Sequence, residues 1–510
     1  MALIVVGGGT AGLAVSSRTS QELPGSTVLV VEAGPDGRND SRLYTPGRMS
    51  RLGSMYDWNF TTTPQPHANN RIIPQHRGHV LGCSSALSLH SWDRAAETDY
   101  DAWEEMCDPG WNWENMHPAM EAQETLQQTA MKGSAGLVNQ GAGENGPVHF
   151  LVNRFSPPQQ EAFFPRVQNL GLNQTYEVLN GDVIGWMRHT SNIVGMDYTR
   201  SYAPMFLTVD GSNLRYMINT TVAKVNLDQS CKKAIGLTLQ NGTIIAAKKE
   251  TILAAAGIKQ LVDLPGVSEN LQDHVRVTIA YQLKDNYTSP DILRLNATYA
   301  AEQLAMDHKN ISSWYDETSS GYTYIQWQQA QGINASAFGA WGKEAAARGN
   351  VVDQKKLPNL LDTSKRVPQL EVLFDDGHPI CNPNYLSSDS DLQAIAQAAK
   401  YMRHLAYTPP MRYTWDSEYE PGLQTVTTDA QWLDHARANV LSIWHPTATT
   451  ALLPLKEGGV VGPDLMVYPV EDLRVDACGG YSDLYLGAYS DGCLWGIAKK
   501  GPGMMAKQWA

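Results

Sequence analysis

The chain has 510 residues, enough for two or three structural units around a large core. It is 42% hydrophobic and 18% charged, as in soluble globular proteins, and its net charge of −13 leaves no basic stripe to follow a phosphate backbone, so nucleic acid is not an expected partner. No stretch approaches the roughly 18 consecutive apolar residues of a membrane helix, so membrane insertion is not expected either.

The first element is the apolar run Leu3 to Val6. Gly7-Gly8-Gly9-Thr10-Ala11-Gly12 follows, and then a helical stretch from Leu13 to about Gln21. Strand, G-x-G-x-x-G and helix in that order form a dinucleotide-binding unit. Gly7 permits the tight turn, Gly9 lets backbone approach a pyrophosphate, and Gly12 lets helix and strand pack closely. The helix amino terminus, at Thr10 and Ala11, then offers unpaired N–H groups and a positive dipole end. A second strand, Thr27 to Val31, ends in Glu32, an acid placed to bind a ribose diol. Taken alone, this unit fits NAD as well as FAD.

Further along, Arg215 to Asn219, Val222 to Leu227, Ala234 to Leu239 and Thr243 to Ala246 read as strands. Residues 283–370 are polar and poor in periodicity, and Asp391 to Tyr407 has a helical apolar pattern. Asn-X-Ser/Thr occurs nine times, at Asn39, Asn59, Asn173, Asn219, Asn241, Asn286, Asn296, Asn310 and Asn334. That frequency points to the secretory pathway, to a secreted or vesicular glycoprotein, and to a leader that this sequence does not carry. The six cysteines are scattered, with no C-x-x-C and no histidines at metal spacing; one disulfide is compatible with them and a metal site is not expected.

Three later segments bear a family resemblance. The first is Gly78-His79-Val80-Leu81-Gly82-Cys83-Ser84-Ser85-Ala86-Leu87-Ser88, with Asp99-Tyr100-Asp101-Ala102-Trp103 after it. The second runs from Asp263-Leu264-Pro265-Gly266-Val267 to Asn270-Leu271-Gln272-Asp273-His274, and the third from Trp444-His445-Pro446 through Val460-Val461-Gly462-Pro463 to Leu473-Arg474-Val475-Asp476-Ala477. In order and content they resemble the glucose-methanol-choline (GMC) family of FAD-dependent oxidoreductases. The resemblance implies an α/β fold with a Rossmann-like FAD domain built discontinuously from 1–150, 205–280 and 435–510. A substrate domain, an antiparallel sheet covered by helices, would come from 151–204 and 281–434.

The resemblance also implies site residues. FAD contacts fall on Gly82, Ser84, Ser88, Val222, Asp476 and Ala477 in addition to the glycine turn and Glu32. His445 takes the role of base, drawing the proton from a substrate hydroxyl as hydride leaves the adjacent carbon for the flavin. The family's second active-site residue, His or Asn, aligns with Tyr489, whose phenol can share a hydrogen bond but does not become a cation at neutral pH. Ser88 stands in place of the family's Asn, Cys83 in place of the second glycine of a pair, and a longer family segment is missing between Ile258 and Asp263. His274 is expected to serve structure. His90 and Trp92 suit either the pocket or the core.

The function expected from the resemblance is oxidation of an alcohol. The alternative is a non-redox lyase or cyclase on the same fold, like versicolorin B synthase, with FAD structural and His445 and Tyr489 as an acid/base pair. The 14 tryptophans and 22 tyrosines suit an aromatic small-molecule substrate as well as ordinary packing. Sequons and resemblance together suggest a fungal-type enzyme of secondary metabolism or lignocellulose attack.

Overall fold

The structure, a computed structural model, describes residues 2–48, 51–106, 109–128, 141–188, 190–228, 230, 232–253, 264–267, 269, 271–318, 321–333, 335–347, 354, 362–373, 385–475 and 491–509. Strand β1, Leu3–Val6, lies at the centre of a five-stranded parallel sheet. Beside it on one side is β2, Val28–Val31, and then the strand Leu214–Met217; on the other are Glu250–Leu253 and Leu473–Val475. Three well-separated stretches of chain therefore contribute to one sheet.

Both faces of this sheet are covered, which explains the unbroken apolar runs of β1 and β2. Leu3, Val5, Val28 and Val30 point to one side, where they join Leu13 and Ala14 of helix α1, Thr10–Glu22, and Trp495 and Ile497 of the final helix, Asp491–Trp509. Ile4, Val6, Leu29 and Val31 point to the other, against Leu237 and Leu239. Those two leucines belong to an antiparallel sheet made of Val222–Asp228, Lys233–Leu239 and Ile244–Ala246, where strands were expected from sequence. Each such side chain, fully buried, contributes about 1.5–3 kcal/mol.

Helix α1 begins at Thr10, three residues earlier than its apolar pattern suggests, because Gly9 already serves as its N-cap in extended conformation. The helix expected from Asp391 spans Asp389–Ala406 and packs on Asp429–Asn439 through Leu392, Ile395, Ala399, Trp432 and Ala436. The second helix starts at a capping box: the Thr428 hydroxyl accepts from the Gln431 N–H while Gln431 Oε1 accepts from the Thr428 N–H. Residues 283–370 hold more order than their sequence suggests. They include the helices Asp291–Leu295 and Ala297–Asp307, neither of which buries a residue completely, and the strand Gly321–Ile325, which is buried throughout.

Candidate active site and cofactor cradle

The glycine turn is arranged to receive a diphosphate. Gly7 adopts φ +100°, and α1, with Gly9 as its N-cap, has neither a side-chain cap nor an acidic residue in its first turn. The N–H groups of Thr10, Ala11 and Gly12 therefore keep their positive end open to an anion. A Cβ on Gly9 would stand 2.8 Å from Cys83 Cβ, so the glycine is required by the close approach of the 78–88 segment. That segment is pinned where it arrives: Gly82, at φ +96°, donates to Gly8 O at 2.8 Å, and the Ser85 N–H donates to Thr10 Oγ1 at 3.3 Å.

Glu32 is buried at the end of β2, its carboxylate receiving the N–H groups of Gly8 and Gly34, each at 2.7 Å. Burial raises its pKa, partly opposed by those two bonds. An uncapped helix, glycines at close contacts and a terminal acid together fit a dinucleotide diphosphate. Val222 opens the neighbouring antiparallel sheet just beyond Asn219 and Thr220, whose N–H groups donate to Gly34 O and Glu32 O. Ser84 Oγ accepts weakly from the Gly78 N–H at 3.4 Å, and Ser88 Oγ accepts from Arg200 at 3.1 Å. Cys83 keeps a protonated thiol, its pKa pushed up to about 12 by burial and then by Glu32; Sγ donates to Gly78 O.

His445 sits in a distorted antiparallel ladder. Val275 pairs with Ser442 and Arg276 with Leu441, while Gln272 bridges to Thr447. Between those pairings, Asp273 and His274 face four residues, Ile443 to Pro446, so the longer side carries two extra residues as a bulge. The bulge carries Trp444 at φ +65° and leads to Ala448 at φ +68°. A left-handed backbone at a bulky residue costs on the order of 1–3 kcal/mol and persists only where its surroundings hold it. Here Ser442 Oγ accepts from the Trp444 N–H at 2.7 Å, and Arg77 donates to Trp444 O at 3.1 Å.

Asp273 organises this bulge. One of its oxygens accepts from the His445 N–H at 3.0 Å; the other accepts from Ser442 Oγ and Tyr385 OH, both at 2.5 Å. Burial raises the Asp273 pKa, and the Ser442 and Tyr385 bonds oppose the rise. The consequence is that the His445 ring meets the His274 ring, Nδ1 to Nδ1, at 2.9 Å. His445 is half-buried; loss of solvation and, secondarily, the Arg77 charge lower its pKa to about 3. A second acid lies behind it: Asp57 pairs with His76, whose ring stands edge-on to Trp444 at 5.0 Å.

The structure therefore brings His274 into direct contact with His445. It places His90 and Trp92 in the core, where Trp92 Nε1 donates to Glu124 at 2.7 Å and its ring packs on Trp495. Asp476, Ala477 and Tyr489 lie outside the described residues, as does the shortened segment after Ile258. Arg77, Ser442 and Tyr385 were not singled out from sequence. Arg77 adjoins the glycine-rich 78–88 stretch, a usable signal, but nothing local marks Tyr385, which arrives from a remote part of the chain.

The GMC oxidoreductase family matches this chain twice, its amino-terminal domain over residues 1–276 and its carboxy-terminal domain over 372–477. The GMC oxidoreductase family protein Mala s 12 of Malassezia sympodialis is 26% identical over 97% of this chain and 91% of the relative. Patulin synthase of Aspergillus clavatus is 27% identical over 92% of this chain and 86% of its own. Among solved structures, an FAD-dependent oxidoreductase from Chaetomium thermophilum superposes with a TM-score of 0.89 and 25% identity, covering 99% of each chain. A fungal aryl-alcohol oxidase shares the fold with a TM-score of 0.85 at 22% identity, again over 99% of each. The chain belongs to the GMC oxidoreductase family, and the dinucleotide its amino-terminal unit takes is FAD.

Proposed function

We propose that the protein oxidises an alcohol, with His445 as the base that removes the hydroxyl proton. Bound FAD supplies the hydride acceptor. The observation that carries this reading is the Nδ1 to Nδ1 contact of His445 and His274 at 2.9 Å. Two such nitrogens form a hydrogen bond only if one donates and the other accepts. When His445 donates, its lone pair is fixed on Nε2, the atom at which a substrate proton is taken. His274 then acts as a positioning residue that selects the tautomer.

The remaining contacts support the same role. The His445 backbone is held by Asp273 and the preceding residue by Ser442 and Arg77, which fixes where the ring is presented, while the contact with His274 is a bond made by the ring itself. The lowered pKa of His445 keeps the imidazole neutral with its lone pair free before reaction, while the same burial disfavours the imidazolium that proton uptake forms. Arg77, whose charge disfavours a cationic His445, also favours a negatively charged oxygen nearby. Relatives over most of the chain include proteins named dehydrogenases, such as xptC of Emericella nidulans at 26% identity.

The test is anaerobic mixing of the flavin-loaded protein with a panel of primary aliphatic and aromatic alcohols. Loss of the oxidised flavin's visible absorbance, with aldehyde formed in equal amount, is the expected result. Conversion of a substrate while that absorbance stays unchanged would overturn redox turnover in favour of lyase or cyclase chemistry.

A further inference from the structure

The nine sequons divide cleanly once the fold is known. Asn334 lies outside the described residues; the other eight sequon asparagines, Asn39, Asn59, Asn173, Asn219, Asn241, Asn286, Asn296 and Asn310, are all exposed. Of the 12 described asparagines that are not in sequons, only five are exposed, and Asn153 and Asn192 are fully buried. Exposure thus follows the sequon rather than the residue type. Asn296 and Asn310 also bracket the helix Ala297–Asp307, which buries no residue completely, so this face of the molecule is a solvated one.

Asn286 differs from the rest in its surroundings. A turn closed by the Tyr287 N–H on Lys284 O, at 2.9 Å, places it at the rim of a pocket of about 250 Å³. Phe155, Pro157, Pro158, Tyr287 and Trp314 give the pocket apolar walls, with the Phe155 and Trp314 rings edge to face at 4.9 Å. Gln159, only 3% exposed, also lines it. Its amide N–H donates to Thr288 O at 2.7 Å, while its Oε1 is buried without a partner among the described residues. Flat rings suit the C–H face of a pyranose.

We propose that Asn286 carries an N-linked glycan whose first N-acetylglucosamine seats in the Phe155 and Trp314 pocket, tying the 284–288 turn to residues 155–159. The link forms in the secretory pathway from a lipid-diphosphate oligosaccharide donor. A bond from Asn286 Nδ2 to the sugar C1 replaces the C1 to phosphate bond, the diphosphate leaves with the electron pair, and Nδ2 gives up one proton. The sugar is a fixture of the fold, separate from the reaction at His445.

The experiment uses the full-length protein from its native cells and the same chain secreted by a high-mannose eukaryotic host. Peptide mapping after amidase deglycosylation in heavy-oxygen water is expected to mark position 286 as labelled Asp. Hydrogen exchange is then compared between protein trimmed to one N-acetylglucosamine and protein stripped to none. With one sugar, peptides covering 153–160 and 284–290 should remain protected; with none, and in Asn286→Gln, their exchange should quicken at least about threefold. Asn241→Gln, a sequon residue that does not line this pocket, should change neither peptide. An unmodified Asn286 in both sources, or equal exchange with one sugar and with none, overturns the proposal.

Discussion

His445 and His274 face each other through identical nitrogens, so their effects on catalysis should be unequal in kind. His445→Ala removes the base and is expected to lower kcat/KM about 10²–10⁴-fold in steady-state assays while flavin content is retained. His274→Ala leaves the base but frees its tautomer, and should lower kcat more than it raises KM. His274→Asn, whose side-chain oxygen can still accept from Nδ1, should restore part of the loss; equal activity of the Ala and Asn variants would show that the contact does not select the tautomer. The lowered pKa of His445 adds a pH signature. Because the folded protein binds this proton less readily than the unfolded chain, protonation favours unfolding, and stability is lost as pH falls from 6.5 towards about 3. The acid limb of kcat/KM should accordingly lie well below 6.5, which a pH profile at saturating flavin checks.

At the scale of the element, the bulge from Ile443 to Pro446 and the segment 78–88 are held by few interactions, each hard to replace. Asp273→Asn converts an acceptor of three hydrogen bonds into a group that also donates, and should cost about 1–3 kcal/mol by chemical denaturation together with part of kcat. Gly78→Ala is more severe, since a Cβ there would lie 2.1 Å from the Cys83 carbonyl carbon. Flavin content per chain, read from the visible spectrum, should fall steeply in that variant. These elements were unequally legible in the sequence. The strand, glycine turn and acid of residues 3 to 32 could be read directly because each requirement is local: a two-faced apolar strand, a positive φ, an uncapped helix. The strands between 214 and 246 were recognisable from alternation for the same reason. The pairing of 272–276 with 441–447 was not, since it joins two short motifs some 170 residues apart through a bulge that no periodicity encodes. Likewise Asp291–Leu295 and Ala297–Asp307 lack a buried stripe, and so leave no amphipathic pattern to read.

For the molecule as a whole, the flavin cradle and the final helix are one construction: the indole N–H of Trp495 donates to Thr10 O at 2.8 Å, beside the glycine turn. Anything that binds the cradle should therefore stabilise the entire FAD unit. Removing the cofactor is expected to lower the melting temperature, and adding it back at 100 times its Kd should return about 2.7 kcal/mol, with a midpoint that depends on FAD concentration. Thermal unfolding of stripped and reloaded protein measures both. The discontinuity of the central sheet bears on how the protein is made. The strand Glu250–Leu253 acquires one neighbour as soon as it is synthesised, but the other, Leu473–Val475, emerges only after residues 254–472 have been translated. At a ribosome's pace that delay is on the order of 10–40 s. During it the outer edge of the parallel sheet, the strand Glu250–Leu253, stands open, able to pair with any passing strand. Yield in a foreign host should then depend on elongation rate and chaperone supply over that interval, however stable the finished enzyme proves to be.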